Sequence, residues 1–293
     1  MKKDVDEELL DAARERGIAA LRTMNGVGEF AVFGNTRVHL IMKGQSETGR
    51  PLCLKVNLRA IRAEMDGGQK PADRTELQAF EKIGNQADWA PKVIAASDDG
   101  SWFLREWVGD FTSDRVRKTD WNRVRLDDLW RLFADAFAVF HAKPEPFLIR
   151  DIKPTNVSCD SDRLYLFDFN TTKSLDRIKR SKIGSRLGNR SNNYTAPELL
   201  RAQFAQLACS ADYFAFASVF HRYATGRSSA IWTNCETDET AAIRVYRDEF
   251  EALRGPFEAA LADHGYLPHQ ITFLTGCLNP LADQRPQEFL LPG

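Results

Sequence analysis

Ile149-Arg150-Asp151-Ile152-Lys153-Pro154-Thr155-Asn156-Val157 is the stretch that decides how this chain reads, together with Asp168-Phe169-Asn170, which begins twelve residues after Asn156. An apolar run, Leu164–Phe167, leads into the second segment. Two carboxylates, a lysine and a side-chain amide are thus brought close along the chain. Phosphoryl transfer to a hydroxyl needs such groups: a carboxylate to meet the incoming hydroxyl, a cation to meet the moving phosphoryl, and oxygen ligands for Mg2+. Asp151 suits the first task and Lys153 the second. Asn156 and Asp168 offer the hard oxygens that Mg2+ prefers.

Outward from that stretch, the chain has 293 residues, 43% of them hydrophobic, enough to bury a substantial core. Its 40 basic and 41 acidic residues nearly cancel, so no global field argues for nucleic acid or a membrane surface. The five cysteines, Cys53, Cys159, Cys209, Cys235 and Cys277, are scattered without a CxxC pair. A disulfide frame or zinc site is not expected, and a reducing, cytoplasmic location is. The start, Met-Lys-Lys-Asp-Val-Asp-Glu-Glu, lacks the apolar stretch of a secretory signal. No run approaches the roughly 18 apolar residues of a membrane helix.

Residues 4–23 carry a loose apolar stripe of Leu9, Leu10, Ala13, Ile18 and Leu21, which predicts a helix. Strand-like runs follow at Glu29–Phe33, Val38–Lys43 and Leu52–Leu58, the first two joined by a Gly34-Asn35 turn. A helix is expected from about Asp73 to Ile83 and a strand over Trp102–Val108. Beyond Asp110 long amphipathic stretches predict helices near 121–142, 210–225, 240–263 and 269–278. Strands first and helices afterwards define an α+β chain with a small sheet-rich lobe, a larger helical lobe and a cleft between them. The expected division is a helical extension over 1–25, the small lobe and hinge over 26–108, and the large lobe over 109–293.

The segment 149–157 resembles the catalytic loop of the protein kinase family, His-Arg-Asp with Lys two and Asn five residues after the Asp; Ile149 stands where the family has His. Lys153 at that spacing resembles the Ser/Thr branch. Thr195-Ala196-Pro197-Glu198 resembles the Ala-Pro-Glu that closes the family's activation segment, and Asp283-Gln284-Arg285-Pro286 the late motif whose Arg pairs with that Glu. Ala211-Asp212-Tyr213-Phe214 resembles the central helix of the large lobe, whose Asp braces the catalytic loop. The resemblance covers roughly residues 29–290. It implies a bilobal protein kinase-like fold with ATP and Mg2+ as cofactors, Asp151 and Lys153 as catalytic residues, and Asn156 and Asp168 as metal ligands.

In the small lobe, Leu52-Cys53-Leu54-Lys55-Val56 resembles the strand whose Lys holds the α- and β-phosphates. Period two puts Lys55 on one face with Cys53 and Asn57. Glu76, 21 residues later, is the preferred partner of Lys55, with Glu64 and Glu81 as rivals; Phe80 would then stack on Phe169. For the phosphate loop two registers compete: Gly26–Ala31 has more glycines, whereas Phe33–Val38 lies between the two strands. The second is preferred, with Gly34 and Val38 over the nucleotide and Cys53 beside Val38 as ceiling. The hinge falls near Arg105–Gly109, where the Glu106 carbonyl and Val108 amide would meet the adenine edge and Asp110 or Thr112 the ribose. Asn170, where the family has Gly, is expected to take the left-handed backbone that Gly permits.

Between Asp168 and Glu198 lie Lys173, Arg177, Lys179, Arg180, Lys182, Arg186 and Arg190 against one acid, Asp176. A solvated loop explains them; so does selection of acidic protein substrates, or ordering by phosphate at Ser181 or Ser185 with Arg150 as its partner. Ser191 matches the hydroxyl that bonds the catalytic Asp and Lys. The helix over 4–23 either packs on the small lobe or docks a partner. His141, between a helix end and Pro144, reads as structural. A Ser/Thr protein kinase that autophosphorylates is the leading expectation; a small-molecule (antibiotic-type) kinase and an ATP-binding pseudokinase are the alternatives.

Overall fold

Successive residues of the strand Pro51–Asn57 point to opposite faces of a sheet, yet every residue from Leu52 to Asn57 is buried. Both faces must therefore be covered. The computed structural model describes residues 6–36, 38–68, 74–84, 87–108, 111–112, 123–160, 163–180, 194–200, 204–227 and 239–292. The chain divides into two units, Met1–Val108 and Gly109–Gly293.

The first unit comprises α1 (Glu7–Arg22), β1 (Val27–Asn35), β2 (His39–Ser46), β3 (Pro51–Asn57), α2 (Leu58–Met65), α3 (Thr75–Ile83), β4 (Val93–Ala96) and β5 (Trp102–Glu106). Its strands form a five-stranded antiparallel sheet in the order β1-β2-β3-β5-β4. On one face Leu40, Met42, Leu52, Leu54, Val56 and Leu104 form a core with Leu9 and Ala13 of α1 and Leu58 and Ile61 of α2. On the other, Lys55 stands opposite Phe103 and Cys53 opposite Arg105. There α3 contributes Phe80, whose ring centroid is 6.0 Å from that of Phe103.

Helix α1 starts where the Asp6 side chain accepts the Glu8 N–H at 3.2 Å, with Glu7 and Glu8 at its positive end and Arg22 at its negative end. It buries Leu9, Ala13, Gly17 and Ala20, a stripe at helical spacing. Gly17 lets the helix lie close: a Cβ there would come within 2.7 Å of Met42 Sδ and 3.1 Å of Leu54 Cδ2. The apolar face of the N-terminal helix is thus spent on the sheet. It falls within the first unit, Met1–Val108.

Three local expectations are corrected. Gly34 and Asn35 are not a turn: they continue β1, paired with Ile41 and Leu40. The chain reverses after Thr36, whose Oγ1 accepts the N–H groups of Val38 and His39. Val38 lies in that bend, ahead of β2. Leu58 does not close β3 but opens α2, because the Asn57 side chain caps the amides of Arg59 and Ala60. A short strand, β4, was not foreseen.

The second unit holds β6 (Phe111–Thr112), α4 (Arg123–Phe140), β7 (Phe147–Leu148), β8 (Val157–Asp160), β9 (Arg163–Leu166), β10 (Lys173–Ser174), α5 (Leu175–Arg180), α6 (Pro197–Leu200), α7 (Ser210–Thr225), α8 (Glu239–Asp263) and α9 (Pro268–Cys277). Helix α7 is buried all round, from Ser210 to His221. Trp130 of α4 packs against Phe220 at 5.7 Å, Tyr266 at 5.8 Å and Phe273 at 5.9 Å, and its Nε1–H donates to the Leu290 carbonyl at 2.9 Å. Aromatic pairs of this kind contribute about 0.5–1.5 kcal/mol each beyond their buried area. The whole is an α+β fold. Among the described residues no helix is long and apolar enough to cross a membrane.

Candidate functional site

Strand β7 delivers the chain into a loop that ends in a 3-10 turn, Pro154–Asn156, with Pro154 opening the turn. Within it Asp151 is 8% exposed. Lys153 Nζ donates to Asp151 Oδ2 at 2.6 Å; Asn156 Nδ2 donates to the Asp151 carbonyl at 2.8 Å and reaches Oδ2 at 3.3 Å. Using its amino group on Asp151 turns the amide oxygen of Asn156 away from that residue. Burial pushes the Asp151 carboxyl up from its ordinary value; Lys153 pulls it down, Asp168 pushes it up, and the net direction is upward.

Asp168 comes near because β8 and β9 form a hairpin. Val157 pairs with Leu166, and the Phe167 N–H then donates to the Asn156 carbonyl at 3.1 Å. Asn156 and Asp168 therefore flank the open end of one hairpin. Phe169, fully buried, packs on Phe140 at 5.4 Å. The left-handed backbone expected at Asn170 falls instead on Asp168 itself, at φ 68°, and on Arg150, at φ 73°. Each such residue costs on the order of 1–3 kcal/mol and persists only where surroundings impose it. An amide oxygen and a half-buried carboxylate held in this way fit a hard divalent cation such as Mg2+.

The partner of the left-handed Arg150 backbone lies in α7. Asp212, fully buried, accepts the N–H of Ile149 at 2.8 Å and of Arg150 at 2.9 Å. It also bonds His141 Nε2 at 3.0 Å. Burial alone would depress the imidazole, but the Asp212 carboxylate, helped by Cys209, holds its pKa up to about 9. Arg150 NH1 donates to the Thr171 carbonyl at 2.9 Å, and Thr171 Oγ1 donates to the Ile149 carbonyl at 3.0 Å. The loop is thus tied both to α7 and to the segment following Phe169. His141, just past the end of α4, is thus a structural residue, as its place before Pro144 suggests.

Farther along, Glu198 and Arg285 form a buried two-pronged pair at 2.7 and 2.9 Å. Arg285 also donates from Nε to the Asn279 carbonyl at 2.6 Å and from NH2 to the Pro280 carbonyl at 3.2 Å. Its guanidinium lies 5.0 Å above the Phe214 ring.

In the first unit, Lys55 Nζ donates to both oxygens of Glu76, at 2.7 and 3.0 Å, with the pair almost wholly buried. The rivals are engaged elsewhere: Glu64 with Arg16, and Glu81 with Arg74 at 2.9 Å. His39 Nδ1 stands 3.9 Å from Glu76. Cys53 is buried on the Lys55 face. The β2 residue opposite Lys55 is Ile41, so Ile41 rather than Val38 shares that face beside it. Gly34 belongs to β1, and a Cβ on it would meet nothing within 4 Å. The Glu106 side chain accepts the Lys92 N–H at 3.1 Å, its carbonyl accepts from Arg105 NH1 at 2.7 Å, and Val108 is half-buried just beyond β5.

Asp110, Gly109, Lys182, Ser181, Ser185, Arg186, Arg190, Ser191, Cys235 and the Thr112 side chain lie outside the described residues. No family model and no curated protein matches the chain.

Proposed function

We propose that this chain is a protein Ser/Thr kinase of bilobal fold that moves the γ-phosphoryl of Mg-ATP onto a protein hydroxyl. The observation that carries the reading is Asp151: a buried carboxylate held by Lys153 and Asn156 in a loop whose amides are pinned by Asp212. In this reading Asp151 accepts the hydroxyl proton as the oxygen–phosphorus bond forms and the bond to the β-phosphate oxygen breaks. Lys153 neutralises charge on the moving phosphoryl. Lys55, fixed by Glu76, holds the α- and β-phosphates. Asn156 and Asp168 would hold Mg2+, which when bound offsets phosphate charge.

The buried Glu198–Arg285 pair favours a protein acceptor over a small molecule, because it stiffens the segment that would support a peptide. A cytoplasmic location and acidic acceptors belong to the same proposal. One observation favours a second reading, an ATP-binding module without transfer: the loop over Phe33–Val38 has a single glycine, and that glycine lies in β1.

The test is incubation with γ-labelled Mg-ATP and acidic or basic protein acceptors, alongside Asp151→Asn and Asp168→Ala. Loss of transfer by orders of magnitude in both variants is expected, since such groups act as a unit. Equal transfer by wild type and Asp151→Asn rejects the reading. A thermal shift with Mg-ATP and no transfer selects the binding module.

A further inference from the structure

His39 opens β2 on the face that carries Lys55, since it stands opposite Asn57 while Ile41, two residues on, stands opposite Lys55. Its backbone is tied to Thr36: the N–H donates to Oγ1 at 3.0 Å, and the carbonyl accepts the Thr36 N–H at 2.8 Å. The ring is buried edge-on to Phe103, with centroids 6.2 Å apart, and the Phe103 ring also lies 5.9 Å from Lys55 Nζ. Nδ1 stands 3.9 Å from Glu76 Oε2, the same oxygen that accepts from Lys55 Nζ at 3.0 Å. One buried carboxylate thus has two basic neighbours. Lys55 and Glu76 face the ring from β3 and α3, and β5 faces it with the uncharged Phe103.

We propose that His39 is the reserve cation of Glu76: neutral while Lys55 holds the carboxylate, and protonated from solvent when Lys55 leaves it. Beside an intact Lys55–Glu76 pair a further buried cation is in excess. With Lys55 gone it is the missing charge, and a buried carboxylate without one is strongly destabilising. Imidazole is the side chain that exchanges its proton near neutrality. The consequence for the site rests on the kinase reading: when Lys55 turns to a phosphate, His39 keeps Glu76 compensated, so nucleotide binding takes up a proton. His39 is then a positioning residue, acting on Lys55 through Glu76.

The first measurement needs no nucleotide. Urea midpoints of wild type, Lys55→Met, His39→Gln and the double variant are compared at about pH 5.5 and about pH 8, either side of the imidazole range. The drop caused by Lys55→Met should shrink by about half at the lower pH, and should not shrink in the His39→Gln background. A drop that is the same at both pH values overturns the inference. A rescue that persists with His39→Gln also overturns it, because Glu76 itself then takes the proton. Should Lys55→Met fail to fold, calorimetry of Mg-ATP binding in two buffers of different ionisation enthalpy carries the test. Wild type should take up about 0.3–1 proton at neutral pH and His39→Gln none; equal proton counts overturn the inference. A rescue that depends on His39 in a chain that binds no Mg-ATP leaves the reserve cation standing and removes the kinase reading.

Discussion

The carboxylate of Asp212 receives the backbone N–H of Arg150 at 2.9 Å, from 62 residues away along the chain. With the Ile149 N–H and the His141 ring it has three partners, all in the interior. Asp212→Ala leaves two buried donors and a cationic ring unsatisfied. A loss of about 3–5 kcal/mol is expected, read as a lower urea midpoint. Phosphoryl transfer should fall with it, because Arg150 loses the bond that holds its left-handed backbone.

The His141–Asp212 bond makes stability depend on pH. The imidazole is raised to about 9 in the folded chain against 6.5 when exposed. A raised basic group stabilises fully below its unfolded pKa and loses that contribution as pH climbs through the folded one. Stability should therefore drop between pH 6.5 and 9, by up to about 3 kcal/mol. His141→Gln should flatten this slope in melting curves.

On the kinase reading, Asp151 would set an acid limb. Burial raises its carboxyl and Lys153 opposes that rise, so transfer activity should fall at a pH above the ordinary carboxylate value of about 3.9. Removing the cation with Lys153→Met should move the limb to still higher pH in the residual activity profile.

Lys55→Met takes its buried lysine partner from the Glu76 carboxylate. About 3–5 kcal/mol of stability should be lost, whereas Lys55→Met with Glu76→Leu should recover much of it. Denaturation of the single and double variants gives the comparison. Neither should bind Mg-nucleotide as wild type does.

Gly17→Val drives a branched side chain into Met42 and Leu54. Overpacking of this kind costs about 1–3 kcal/mol, measurable by thermal melting. Nucleotide binding by the folded fraction should be unchanged.

Much of the site was legible because it is local. Asp151, Lys153 and Asn156 lie within six residues, so spacing alone put their side chains in one loop. The strand alternation that set Lys55 with Cys53 is equally local, since period two is a property of the backbone. Glu76 was preferred over Glu64 and Glu81 through the resemblance, with Phe80 one turn on expected to meet Phe169. The misreadings have a different origin. Gly34 looked like a turn residue, yet a bulged β1 absorbed it and Thr36 capped the reversal. Asn170 looked like the left-handed residue, yet the positive φ falls on Asp168.

By itself the sequence determined which chemistry-bearing residues exist, how they are spaced, and that strands precede helices. Packing decided the rest: that α1 closes the sheet through Gly17, that Arg105 faces the same side as Lys55, and that His141 shares the carboxylate of Asp212. The reason is physical. Dihedral preference and side-chain period act over a few residues, whereas a buried charge takes its partner from whatever element the fold brings alongside.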